Sequence, residues 1–277
     1  MNLRPLWDEL LSGYVEIAKI CNRHHLRYWA AWGTALGAVR HKGFIPWDDD
    51  FDLFMPREDY ERFLDIADQE LPPHLRTVSL RNTRHYPFMF AKIQDIRADV
   101  SDGIRRETGH PQNEGIYIDI FPLDGIKAQN WLDRLIAFHL RVRRNLVVHS
   151  SVGTTAAKIG RLGAWLLYWV PGPRTEEEFA AYLQKKAGRI PFDKSDYVGY
   201  MELSKCGYAK RESFRREWFA ATKQMPFEGV EVPIPSGVSE ILTTRYGDWR
   251  QLPPEEDRVW KHRDDPVAPW RYGPVTE

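Results

Sequence analysis

The sequence predicts a mixed α/β (α+β) fold, and three observations carry that prediction. Up to about residue 125, helix-spaced apolar faces alternate with short aromatic or β-branched runs bounded by Gly and Pro. Beyond that point the pattern changes to basic helical stretches and then to a Pro-, Gly- and Trp-rich region that keeps large apolar side chains. A 277-residue chain that is 43% hydrophobic and 28% charged can bury a sizeable core, which excludes wholesale disorder.

The elements follow in order. Leu6, Leu10, Leu11, Tyr14, Ile17 and Cys21 share one helical face, predicting a first helix from Pro5 to His24. The aromatic run from Arg27 to Trp32 reads as a short strand ended by Gly33. Thr34 can cap a helix running to Arg40. Phe51–Met55 reads as a second strand, and Pro56 opens a helix with Tyr60, Phe63, Leu64, Ala67 and Leu71 on its apolar face. Strand-like runs follow at Leu75–Leu80, Phe88–Ile96 and Ile116–Phe121. Residues 131–148 and 155–170 read as basic helices, and a further helix is expected over 177–188. The expected organisation is a catalytic core over 1–126, a helical, basic insertion over 127–190, and a C-terminal helical and loop region over 191–277 packed on the core.

Charge and cysteine content narrow the function classes. Thirty-nine basic and 39 acidic side chains give a net charge of zero, unlike the basic excess of a nucleic-acid binder. Cys21 and Cys206 are too few for a disulfide framework or a cysteine zinc site, and both read as buried small apolar groups in a reducing compartment. The opening MNLRPLWDELL lacks the flank and apolar run of a signal peptide, and no stretch reaches the roughly 18 apolar residues of a membrane span. These features predict a cytoplasmic protein, soluble or peripheral.

The segment with most chemical content is Gly33 to Met55, where Asp48, Asp49, Asp50 and Asp52 crowd four carboxylates into five positions. On a strand Asp50 and Asp52 share a face, Asp48 joins them if the strand extends that far, and Asp49 points away. Carboxylates this close repel unless a cation neutralises them, and hard oxygen ligands suit Mg²⁺ or Mn²⁺. A solvated acidic loop is the plain alternative, but the apolar flanks Phe44–Trp47 and Leu53–Met55 argue for a buried strand. An EF-hand fails, because Leu53 and Asp59 stand where Gly and Glu are needed. P-loop, Rossmann, Gly-x-Ser-x-Gly and His-Glu-x-x-His patterns are absent from the sequence. A small-residue turn at Gly33–Thr34, a short helix, then acid–apolar–acid–apolar from Asp50 matches the nucleotidyltransferase-superfamily pattern. Amides of Gly33 and Thr34 at a helix N-terminus can hold a phosphate. Asp119, lone in the apolar strand Ile116–Phe121, reads as a third metal ligand or general base, with a structural hydrogen-bonding role as the alternative.

The string GTALGAVRHKGFIPWDDDFDLFMPREDYERF resembles the signature of the LicD family, and IYIDIFPLDGI and FEGVEVPIPSG…LTTRYGDWRQLPPEEDR resemble that family's later segments in order and spacing. The resemblance implies a nucleotidyltransferase-like mixed sheet and a divalent metal. It also implies transfer of a phospho-alcohol such as phosphocholine from a CDP-activated donor to a hydroxyl of a cell-surface glycan or its lipid-linked precursor, with CMP leaving. By the same likeness, Asp50 and Asp52 are the metal-binding pair, Asp48 an assisting acid and Asp119 the later carboxylate. Arg40, Lys42 and Lys92 are candidate cations for the donor's phosphates. Nucleotidyl transfer to a small molecule, a DxD sugar-nucleotide glycosyltransferase and a non-catalytic relative are the rival functions. The basic helices within 131–170 are either a solvated cap or a contact with an anionic membrane surface, with Trp165, Leu166 and Trp169 dipping into the interface. His24–His25 reads as a helix-end complement, and Tyr246–Trp249 as a turn with aromatic anchors.

Overall fold

A computed structural model describes residues 3–84, 86, 88–97, 116–127, 131–150, 172–202 and 206–258. The order begins α1 (Arg4–Arg23), β1 (Trp29–Ala30), α2 (Trp32–Arg40), β2 (Asp52–Pro56), α3 (Arg57–Glu70), β3 (Leu75–Val78), β4 (Ala91–Asp95) and β5 (Ile116–Ile126). It continues through α4 (Trp131–Ser150), α5 (Glu176–Ala187), β6 (Tyr197–Glu202), β7 (Gly207–Arg215), β8 (Thr222–Phe227), β9 (Val230–Pro235) and α6 (Val238–Tyr246). The basic stretch over 155–170, with Trp165, Leu166 and Trp169, lies outside the described residues.

Among the described residues, seven strands form one mixed sheet with the path β1-β2-β5-β4-β3, while β8 and β9 make a separate hairpin. The pair β2–β5 is parallel, and its neighbours are antiparallel. Strand β5 is longer than the Ile116–Phe121 run predicted from sequence, because Asp124, Gly125 and Ile126 pair with β6. Strands β6 to β9 were not among those predicted from sequence. Strand β8 is mostly exposed, so it carries no apolar alternation to reveal it.

Period two divides the sheet's side chains between two cores. Leu53, Met55, Ile118 and Ile120 join α1 and α3 in one cluster with Leu6, Tyr14, Ile17 and Phe63. Phe54, Phe121 and Leu123 point to the other, which holds Phe179, Leu183, Val198 and Phe214 from α5, β6 and β7. The later part of the chain thus packs on both faces, since Phe227, Ile234 and Leu242 belong to the first cluster, and both cysteines are buried within the clusters. Arg57 at the start of α3 clamps Asp124 of β5 through Nε and Nη2, at 2.7 and 2.8 Å. His24, closing α1, bonds Glu70 at 2.6 Å. No helix among the described residues is long and apolar enough to cross a membrane.

Candidate functional site

The acidic segment lies where α2 and β2 meet. Helix α2 starts at Trp32, two residues before the cap read from sequence. Ala31 takes an extended conformation, and the Ala35 amide returns to the Ala31 carbonyl at 3.0 Å. That leaves the amides of Trp32, Gly33 and Thr34 in the first helical turn, where helix geometry provides no acceptor. Thr34 is buried and its hydroxyl accepts the Asp52 amide at 2.8 Å, tying the helix start to the first residue of β2. Gly33 faces the acids. A Cβ there would stand 2.5 Å from Asp48 Oδ2, so only glycine lets that carboxylate approach the helix end undisturbed.

Regular strand structure begins at Asp52, so period two does not extend back through the acidic run. Asp49, expected to point away, is buried instead, and one carboxylate oxygen each from Asp48, Asp49 and Asp50 lie within 4.8 Å of one another. The Trp7 indole donates to the Asp48 carbonyl at 2.9 Å and fixes this turn. Register then aligns Asp52 with Asp119 on β5, and Asp119 with Lys92 on β4. Lys92 Nζ donates to Asp119 Oδ1 at 2.8 Å and lies 3.4 Å from the Tyr117 ring centroid. This joins Lys92, the one lysine of β4, and Asp119 of β5 in an ion pair. Burial pushes the Asp52 carboxyl well above its ordinary range, the charges of Asp50, Asp119 and Asp48 push it further, and Lys92 opposes them.

A cleft of about 490 Å³ opens on this cluster. Gly33, Asp48, Asp50 and Asp52 line one side, together with Trp32, Trp47 and Arg40, while Arg245, Tyr246, Asp248, Trp249 and Gln251 line the other. Arg40 donates to the Trp249 carbonyl and to His41 Nε2, both at 2.9 Å, which links the two walls. Lys42 is exposed on the next turn, outside the residues that line the cleft. Asp119 and Lys92 are outside the residues that line the cleft, and the Asp119 side chain keeps 14% of its surface exposed. The Tyr246–Trp249 turn is anchored by the buried Trp249, and it also forms a cleft wall. Sequence reading passed over Arg245 and Glu212. Arg245 stands beside that turn, whereas Glu212 is one acid in the polar run KRESFR and carries no local signal.

A donor set of clustered carboxylates around a desolvated Asp52 has the chemistry of a hard divalent cation site. Asp48, Asp49 and Asp50 could hold such an ion with Asp52 beside them.

The start of α2, the parallel β2–β5 pair and the acids make one site on a mixed α/β sheet. Residues 25–141 match the family described as LicD/FKTN/FKRP, nucleotidyltransferase domain. The chain is 30% identical over 252 residues to the lipopolysaccharide cholinephosphotransferase LicD of Haemophilus influenzae, a match spanning 88% of this chain and 89% of that protein. Shorter matches join it to uncharacterised proteins of Rickettsia typhi (43% over 51 residues; 18% of this chain, 16% of that protein) and Rickettsia prowazekii (46% over 41 residues; 15% of each). The chain belongs to the LicD family and is an enzyme of the LicD phosphotransferase type.

Proposed function

We propose that this enzyme transfers phosphocholine from CDP-choline to a hydroxyl of lipopolysaccharide or its lipid-linked precursor, with Mg²⁺ or Mn²⁺ as cofactor and CMP as product. One observation carries the reading. The row Asp52–Asp119–Lys92 stands at the start of α2, in a chain alignable over most of its length with a lipopolysaccharide cholinephosphotransferase. Asp48, Asp50, Asp52 and Asp119 are assigned to the metal, with Asp49 close enough to Asp48 and Asp50 to assist. Bound there, the cation would supply charge neutralisation for the donor diphosphate and its leaving group.

The remaining work falls to the chain. First-turn amides of α2 at Gly33 and Thr34 are assigned to a phosphate of the donor. Arg40 holds the cleft walls together and contributes charge at the donor. Lys42, on the exposed turn, attracts the anionic donor at longer range. Lys92 orients Asp119 through their ion pair, and Asp119 is assigned the proton of the attacking hydroxyl.

The test is product analysis with CDP-choline, Mg²⁺ and an acceptor lipopolysaccharide. CMP and choline-labelled glycan are expected. Pyrophosphate release from a nucleoside triphosphate would mark nucleotidyl transfer, and turnover of a sugar nucleotide alone would mark a glycosyltransferase.

An acceptor on a lipid would place the enzyme at the cytoplasmic membrane face. Leu135, Phe138 and Val142 are exposed on α4 beside Arg134 and Arg141, a combination suited to an anionic bilayer surface. Flotation with phosphatidylglycerol liposomes is the check, and protein left at the bottom of the gradient would refute the contact.

A further inference from the structure

Two cations line the cleft that opens on the acidic cluster, Arg40 and Arg245. Arg40 is committed to the Trp249 carbonyl and to His41. Arg245, at the end of α6, is held differently. Its Nη1 pairs with Oε1 of Glu212 on β7. The guanidinium lies 5.6 Å from the Trp32 ring centroid and 5.9 Å from that of Tyr246. Glu212 is 1% exposed, whereas the Arg245 side chain keeps 35% of its surface. The carboxylate is thus sunk in the protein and presents the arginine to the cleft.

Glu212 makes a second bond, accepting the Trp32 indole N–H on Oε2 at 2.8 Å. Trp32 is the first residue of α2 and has φ of 35°, an uncommon conformation for a residue with a Cβ. Edge-on packing against Phe54 and Phe121, with centroids at 4.9 and 4.2 Å, keeps its ring in place. One buried carboxylate therefore orients an aromatic and a cationic group of the cleft and braces the helix end that faces the acids.

We infer that Arg245 is a phosphate-binding residue of the donor site and that Glu212 is its positioning residue. This inference rests on the phosphotransferase reading of the cleft. A diphosphate entering beside clustered carboxylates needs cations on its other side. An arginine fork with one edge already fixed offers preorganised donors to phosphate oxygens. Lysine in the same place would keep the charge and lose the planar fork.

Isothermal titration with inorganic pyrophosphate and with CDP, both in Mg²⁺, tests the assignment. Arg245→Gln is expected to weaken both ligands by about 10-fold or more. Arg245→Lys should fall between it and the wild type. Because Arg245→Gln takes an ionic partner from a buried carboxylate, the double variant Glu212→Gln/Arg245→Gln is measured beside it; it removes that charge as well and should lose the same affinity. Mn²⁺ affinity should stay at the wild-type value in the double variant, since the acids are untouched, whereas collapse of the cleft would lower it. Wild-type affinity for pyrophosphate and CDP in the double variant would overturn the inference. Wild-type protein that binds neither ligand would instead overturn the phosphotransferase reading, and the inference with it.

Discussion

Strand β5 carries two aspartates whose surroundings differ. Asp124 is fully buried and meets a matched partner, the bidentate Arg57 guanidinium. Burial pushes the Asp124 carboxyl up, and the Arg57 hydrogen bonds and charge oppose that push. On the arginine burial acts the other way, but bonding and attraction to Asp124 outweigh it and keep the guanidinium protonated. Asp119, earlier on the same strand, pairs with Lys92 in a neighbourhood that also holds Asp48, Asp50 and Asp52. The first arrangement balances its charge and closes the fold. In the second, several carboxylates crowd one another around the buried Asp52, and that repulsion favours binding of protons or a cation.

Removing one member of the balanced pair should produce the largest effect. Arg57→Met leaves Asp124 buried and alone, and urea unfolding should register a loss of about 3–5 kcal/mol. Arg57→Met/Asp124→Leu should recover much of it, because no charge is then stranded. A loss near zero in the single variant would erase the contrast between the two aspartates.

Asp52→Asn should do the reverse. Turnover should fall by at least about 10²-fold, because a group that positions charge at the reaction centre is gone. Metal-free stability should hold or rise. A melted Asp52→Asn protein would make the acidic cluster mainly structural.

The raised Asp52 pKa gives a pH signature with a definite sign. In the folded state Asp52 keeps a proton that the unfolded chain releases at its ordinary, lower pKa. Metal-free stability therefore declines as pH rises from the ordinary carboxylate range, about 4, toward the raised folded value, and levels off above it. Asp52→Asn should lack that decline. Protons and metal compete for the same oxygens, so the rise in Tm on adding Mg²⁺ should be larger at pH 8 than at pH 5. Equal shifts at both values would detach the metal from Asp52.

Gly33→Ala is the mildest probe. The added methyl must displace the Asp48 carboxylate, and turnover should drop about 10-fold with little change in Tm. Unchanged turnover would mean that Asp48 is free to move without consequence.

Much of this was legible in the sequence, for identifiable reasons. Helices α1 and α3 have apolar faces at helical spacing, so their extents are predicted to within one or two residues. Asp119 and Lys92 stood out as charges inside apolar strands, and the structure pairs them. Their alignment with Asp52 is a matter of strand register, which no single segment contains. The inward turn of Asp49 was hidden because the strand begins only at Asp52. The far wall of the cleft was also hidden. Arg245 and Glu212 come from α6 and β7, which long-range packing brings to α2: Val238 and Leu242 of α6 share the first core with Ala35 and Leu36, while Ile241 of α6 and Phe214 of β7 lie in the second.

Titration of Mn²⁺ into three proteins compares the two aspartate environments most directly: wild type, Asp52→Asn, and Arg57→Met/Asp124→Leu. Wild type and the Arg57→Met/Asp124→Leu protein should bind Mn²⁺ alike, while Asp52→Asn loses the site. Undiminished Mn²⁺ binding by Asp52→Asn, or a wild type that binds none, would contradict the assignment of the acidic cluster to a catalytic metal.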